Sequence, residues 1–251
     1  MISRTLREEF VLSVEGLTVS FDGFRAVNDL SFYVEEEEIR VIIGPNGAGK
    51  TTVLDLICGR TRATSGKIEF RGRDLTQLGE HAIVHAGVGR KFQNPSIYED
   101  LTVFENLELS FPRGRSVFGA LFFNRDKEVV ARVHEIADLT FLGDRLDVRA
   151  ELLSHGQKQW LEIGMLLIQD PDLLMLDEPV AGMSVAERKQ TAELLQRIIK
   201  GRSVIVIEHD MQFVEDIADR VTVLHQGKVL SEGSMERVKS DPNVVEVYLG
   251  H

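Results

Sequence analysis

The stretch GPNGAGKTT at residues 44–52 constrains the fold more than any other part of the chain. It has the spacing G-x-x-x-x-G-K-[ST] and lies between an apolar, β-rich run, IRVII at 39–43, and a run of helical spacing, TTVLDLICG at 51–59. That is the context the motif requires. Gly44, Gly47 and Gly49 let the backbone curl through Asn46 and Ala48, so that successive N–H groups converge on phosphate oxygens. The helix that follows adds its positive N-terminal end. Lys50 is then placed to reach β- and γ-phosphates, and Thr51, followed by Thr52, to offer a hydroxyl to Mg²⁺. The motif implies a nucleoside triphosphate. By itself it leaves kinases, GTPases and motor ATPases open.

The rest of the chain has the rhythm such a loop needs. Short β-rich runs with turn signals occupy residues 11–43, and GKIEFRGRDL at 66–75 reads as a hairpin. From 94 to 152 the pattern becomes helical, with KEVVARVHEIADL the longest example. Buried strands then alternate with helices: DLLMLDEP, ERKQTAELLQRIIK and SVIVIEHD, followed by a closing hairpin, VTVLHQGKVLSEG. This predicts an α/β fold, a P-loop NTPase core with a mostly parallel sheet, an antiparallel β subdomain and an inserted helical subdomain. We read residues 1–251 as a single domain, with 1–93 and 153–251 forming the nucleotide-binding core and 94–152 the helical subdomain. The EEEE run at 35–38 joins two predicted strands and reads as a solvated turn.

Acids and a histidine close the later strands. LLMLDEP delivers Asp177 and Glu178 to the carboxyl end of the sheet, where ligands of open α/β sheets sit. Asp177 suits Mg²⁺, an ion that prefers oxygen ligands and keeps part of its hydration shell. Glu178 is then the candidate general base for the attacking water. IEHD ends the next strand and offers His209 as a donor to a γ-phosphate oxygen. Gln93, in RKFQNP, heads the helical segment and is a candidate to report γ-phosphate or Mg²⁺ occupancy to it. ELLSHGQKQWLEIGM at 151–165 sets Ser154 directly before His155, which invites a nucleophile-and-base reading. Adjacent residues rarely have the required mutual geometry, and a third group would have to orient the histidine. Ser154 reads better as the cap of a helix with apolar residues at 160, 163, 167 and 168, and Gly156 as the point where an anion can approach that helix end.

GPNGAGKT, FQ at 92–93, LSHGQ at 153–157, LMLDEP at 174–179 and EHD at 208–210 occur in that order, and together they resemble the ATP-binding subunits of ABC transporters over essentially the whole chain. The resemblance implies that two subunits sandwich ATP head to tail, each offering its signature to the other's phosphate loop. Carried over, Ser154, Gly156 and Gln157 match the signature, Gln93 the Q-loop with its metal contact, Glu178 the catalytic carboxylate, His209 the switch histidine and Phe21 the aromatic that stacks on adenine. ATP and Mg²⁺ are the implied cofactors. The implied partners are transmembrane permease subunits and a second ATP-binding subunit, identical or homologous. The implied place is peripheral, on the cytoplasmic face of the inner membrane. EHDM, AGMS and an ending soon after the final hairpin resemble the importer branch for branched-chain amino acids and urea. Within it, SHGQKQWLEIGMLL with DEPVAGMS is most similar to urea-importer subunits, which implies urea as cargo, with a branched-chain amino acid importer as the alternative.

Three positions depart from the family pattern. His155 replaces a signature glycine, although relatives in the branch also carry a large residue there. Ser184 stands where many such subunits have the D-loop aspartate. Glu37 replaces a turn glycine, at a cost of about 1 kcal/mol if that turn needs positive φ. The aromatics at 118–123, in SFPRGRSVFGALFF, are candidates to line the groove that receives the permease. A soluble ABC ATPase working on nucleic acid or ribosomes is the competing class. The net charge of −11 argues against it, and we expect no nucleic-acid partner. We find no signal peptide, no apolar run long enough to span a bilayer and a single cysteine, Cys58, which rules out an internal disulfide.

Overall fold

A computed structural model of the chain describes residues 10–91, 97–112 and 127–249. Two sheets organise it. β1 (Phe10–Phe21) and β2 (Phe24–Glu35) form a hairpin. Its two turn residues, Asp22 and Gly23, have φ of 49° and 88°, as a turn matching the twist of antiparallel strands requires. β4 (Ser65–Phe70) and β5 (Arg73–Asp74) complete an antiparallel sheet in the order β2-β1-β4-β5.

The second sheet has the order β10-β9-β3-β8-β7-β6. At its centre β3 (Ile39–Ile43) pairs in parallel with β8 (Ser203–Ile207) and β9 (Arg220–His225), and β7 (Leu173–Asp177) pairs in parallel with β8. β10 (Lys228–Gly233) runs antiparallel to β9, and β6 (Val88–Lys91) lies at the far edge. Every residue of β3, β7 and β8 is buried, so both faces are covered, as continuous apolar strands demand. Leu12, Val14, Leu30 and Phe32 of the first sheet share one core with Ile42, Met175, Ile205 and Leu224 of the second. Leu54 and Ile57 of α1 (Lys50–Ile57) belong to the same core.

One expectation needs correction here. Of the EEEE run, Glu35, Glu36 and Glu37 are exposed, but Glu38 is only 6% exposed. The cause is Arg40, fully buried in β3. Its Nε bonds Glu38 Oε1 at 2.9 Å, and its Nη1 bonds Glu232 Oε2 at 2.7 Å and Thr222 Oγ1 at 2.9 Å. A buried guanidinium without such partners would be strongly destabilising. Burial raises the Glu38 pKa above the usual carboxylate value, and Arg40 opposes that shift. Glu37 does sit at positive φ, 55°, and its Oε1 accepts the Gly201 N–H at 2.8 Å, which offsets part of the backbone cost.

The described residues fall into two compact units, one of 10–90, 172–179 and 195–249, the other of 91, 97–112, 127–171 and 180–194. In the second, α3 (Val103–Ser110), α4 (Lys127–Leu139) and α5 (His155–Leu167) bury Val103, Leu107, Val129, Val133, Ile136, Leu161 and Ile163. Thr102 and Glu105 form a capping box at the start of α3. α2 (Glu80–His85), α6 (Val185–Ile198) and α7 (Met211–Ile217) are connecting helices. Two short helices the sequence reading did not place, α8 (Met235–Ser240) and α9 (Pro242–Leu249), follow the closing hairpin.

Candidate functional site

The phosphate loop joins β3 to α1. Gly49 occupies the N-cap of α1 at φ 99°, with no side chain capping the helix, so its first N–H groups remain as donors. A Cβ at Gly49 would lie 2.5 Å from the Ala26 carbonyl oxygen, so the position needs glycine for space as well as for φ. Lys50 Nζ folds over the loop, donating to the carbonyls of Gly44 at 2.8 Å and Pro45 at 3.1 Å. Burial lowers the Lys50 pKa below the ordinary lysine value, while Glu178 and then Asp177 oppose that shift.

The parallel register brings the other candidates to the same edge. Ile42 of β3 lies beside Ile207 of β8, and Ile207 beside Asp177 of β7. The chain leaving β7 is tied to β8 by the Glu178 N–H, which donates to the Ile207 carbonyl at 2.9 Å. Asp177 is buried, whereas the Glu178 side chain is 39% exposed. Glu178 sits at φ 49°, in the left-handed region that costs a non-glycine residue on the order of 1 kcal/mol. Strain of that kind persists where the surroundings impose it, and here it falls on the candidate base. His209 Nδ1 is 3.6 Å from Glu178 Oε1, beyond a direct hydrogen bond but close enough that the two side chains face the same space. Glu208, almost fully buried, shapes the turn by accepting the N–H groups of His209 at 3.0 Å and Asp210 at 3.4 Å. Asp210 then caps α7, accepting from the Phe213 N–H at 3.1 Å. Sequence reasoning did not single out Glu208, because a buried acid beside a histidine carries no motif of its own.

The described residues also test the fit to a divalent cation. The donors offered by this edge are oxygens, the Thr51 hydroxyl and the Asp177 carboxylate, and no group of three or more His, Cys, Asp or Glu among the described residues could hold a metal ion unaided. Few protein oxygens, with phosphate and water completing the shell, suit Mg²⁺. Phe21 ends β1 and is 48% exposed, and Phe24, across the turn, is 67% exposed. Gln93 and the aromatics at 118–123 lie outside the described residues.

In the second unit, Ser154 is the N-cap of α5. Its hydroxyl accepts the Gln157 N–H at 3.2 Å, and Gln157 Oε1 accepts the Ser154 N–H at 3.0 Å. Trp160, Ile163, Leu167 and Ile168 are buried, as the helical spacing predicted, and Trp160 Nε1 donates to Thr191 Oγ1 at 2.9 Å. His155, the departure from the signature pattern, turns away from Ser154. Its Nε2 is 3.0 Å from the Ala181 carbonyl oxygen, which makes it a tie between α5 and the loop that follows β7.

Ser184 caps α6, its hydroxyl accepting the Glu187 N–H at 3.3 Å. Glu187 answers with Oε2, which accepts the Ser184 N–H at 2.9 Å and the Ser184 hydroxyl at 2.8 Å. The same carboxylate reaches α5, where Oε1 accepts from the Ser154 hydroxyl at 3.2 Å. The Ser184 N–H, then the hydroxyls of Ser184 and Ser154, and finally His155 hold the Glu187 pKa below the usual carboxylate value. The sequence reading did not identify Glu187. The Ser-x-x-Glu spacing after Ser184 was its one local signal.

Residues 27–181 match the ABC transporter family. The chain belongs to that family. As an ABC ATPase it binds nucleotide and hydrolyses ATP. It is 38% identical to the high-affinity branched-chain amino acid transport ATP-binding protein BraF of Pseudomonas aeruginosa, spanning 96% of this chain and 98% of that protein. It is 34% identical to the corresponding protein LivG of Escherichia coli, again spanning 96% of this chain and 98% of the relative. A nucleotide-free ATP-binding cassette from an ABC transporter superposes with a TM-score of 0.86 at 30% identity, covering 96% of this chain and 100% of that one. An ATP-binding cassette in its ADP conformation gives 0.85 at 32% identity, covering 96% and 99%. The ABC ATPase fold expected from the motifs is therefore the fold observed. These relatives favour the amino-acid alternative, and none of them supports urea.

Proposed function

We propose that this ABC ATPase powers an importer of branched-chain amino acids. The observation that carries the cargo is end-to-end similarity to ATP-binding proteins named for that transport. The SHGQKQWLEIGMLL wording that pointed to urea is a local pattern, outweighed by similarity along the entire chain.

For the reaction, the phosphate loop and Lys50 hold the β- and γ-phosphates of ATP, and Phe21 stacks on adenine. Thr51 and Asp177, with Gln93, are the residues that would hold Mg²⁺, which when bound neutralises developing phosphate charge. Glu178 accepts a proton from the attacking water, and His209 donates a hydrogen bond to the γ-phosphate. Ser154, Gly156 and Gln157 serve the nucleotide held by a second ATP-binding subunit, arranged head to tail. ATP then favours the closed pair because only that state adds the signature contacts. The pair drives transmembrane permease subunits from the cytoplasmic face of the inner membrane. No helix among the described residues is long and apolar enough to cross a bilayer, which fits a peripheral subunit.

Uptake of labelled leucine and labelled urea in cells lacking this protein tests the cargo. Leucine uptake should be lost and urea uptake retained. The reverse would restore the urea reading.

A further inference from the structure

The Ser154 hydroxyl has one proton, and it is directed at Glu187. Three observations show how closely that carboxylate is bound to the start of α5. Its Oε1 accepts from Ser154 at 3.2 Å. A Cβ built on Gly156 would lie 2.3 Å from Oε1 and 2.6 Å from Cδ, so the carboxylate lies against the bare α-carbon of the signature glycine. Its other oxygen is fixed by the N–H and hydroxyl of Ser184. A negative group beside the N-terminus of a helix is where an anion is stabilised. Glu187 therefore stands where an incoming phosphate would bind and holds the proton that phosphate would need.

We propose that Glu187 is a positioning residue for the signature: it joins Ser154 to the Ser184 turn in the open subunit and must release the Ser154 hydroxyl when a phosphate held by another subunit arrives. This rests on the proposed role of Ser154 as the residue that meets that phosphate. Two effects oppose closure until release. The hydroxyl cannot donate to carboxylate and phosphate at once, and a carboxylate beside a phosphate adds like-charge repulsion. Release also frees the start of α6 from α5, so the proposal gives Ser184 a function where the D-loop aspartate is absent. His155, held on the Ala181 carbonyl, keeps the two segments adjacent while Glu187 exchanges partners.

The test uses ATP hydrolysis by the assembled transporter. Glu187→Gln keeps the side chain's shape but places an NH₂ donor opposite Ser154, which frees the hydroxyl proton. Its KM for ATP should fall about three- to tenfold, the range expected for losing a partly exposed charged hydrogen bond. Its kcat should change by less than about twofold, because the contact is broken before chemistry. In a Ser154→Ala background the same substitution should lower KM by a clearly smaller factor, because only the relief of charge repulsion remains once the hydroxyl is gone. A purely structural role for Glu187 would not depend on the Ser154 hydroxyl in that way. Glu187→Asp keeps the charge but is too short to span both serines. It should lower KM as well, and it supplies the readout if the Gln variant does not fold. An unchanged or raised KM in the Glu187 variants, with KM raised by Ser154→Ala, overturns the proposal and leaves the signature reading intact. An unchanged KM in Ser154→Ala overturns both.

Discussion

Two helices of this ABC ATPase are assigned to phosphate, and they begin in opposite ways. α1 starts at a left-handed glycine with no side-chain cap, so its first N–H groups stay available. α5 starts at a serine whose hydroxyl and backbone N–H are both engaged, by Gln157 and by the Glu187 carboxylate. The first is preorganised for an anion and has nothing to give up. The second is satisfied within its own chain. On the proposed mechanism it would exchange a partner on closure, so that such a subunit would hold nucleotide continuously and still make closure conditional.

That contrast can be broken at several points. The largest effect belongs to the edge that α1 serves. Glu178→Gln should still bind ATP but hydrolyse it about 10²- to 10⁴-fold more slowly, measured as steady-state phosphate release beside equilibrium nucleotide binding. Near-normal turnover would remove Glu178 from its role. Next, Gly49→Ala should abolish nucleotide binding and destabilise the chain by about 1–3 kcal/mol, through a disfavoured φ and the clash with the Ala26 carbonyl. Chemical denaturation and nucleotide titration check this, and retained binding would show that α1 is not the preorganised end.

Ser154→Ala should cost only about 1 kcal/mol of stability, the usual worth of an N-cap. Nucleotide binding to the single chain should survive, because the loss falls on the closed pair. If binding were lost as it is in Gly49→Ala, the two helix ends would be doing the same job. The smallest effect is a pH dependence at Glu187. Its pKa is lowered on folding, so its contribution is fully present above the unfolded carboxylate value and is lost as pH falls through the folded one. The difference in Tm between the parent and Glu187→Gln should shrink as pH falls below the ordinary glutamate value, and it should correspond to less than about 1 kcal/mol because the pair is solvent-accessible.

Much of this was legible in the sequence because the signals are local. The glycine spacing of 44–52 works through the backbone of one loop, and the fully apolar β3, β7 and β8 declare a covered parallel sheet. The turns at Asp22-Gly23 and Gln226-Gly227 announce their hairpins through their glycines, which take positive φ without steric cost. What escaped depended on side-chain contacts anchored far along the chain, even where the nearest partner was close by. Glu38 reads as a solvated acid, and is buried because Arg40, itself held by Thr222 and Glu232, draws it inward. Glu187 meets Ser154 across 33 positions, which no short window can contain. The urea reading, which the relatives do not support, rests on a similarly short window. Its pattern lies in a few residues flanking the signature, whereas similarity to the amino-acid relatives runs along the chain.

The sequence by itself determined that a phosphate loop sits between strand and helix, that acids and a histidine end neighbouring strands, and that a serine caps the signature helix. Each follows from chain geometry over a few residues. Only the tertiary structure decided that Glu178 occupies a left-handed backbone beside His209, that Arg40 draws Glu38 inward, and that one carboxylate holds both serines. Those outcomes depend on which side chains meet once the sheets have closed. A hydroxyl or carboxylate has no preferred partner until packing supplies one within hydrogen-bonding reach.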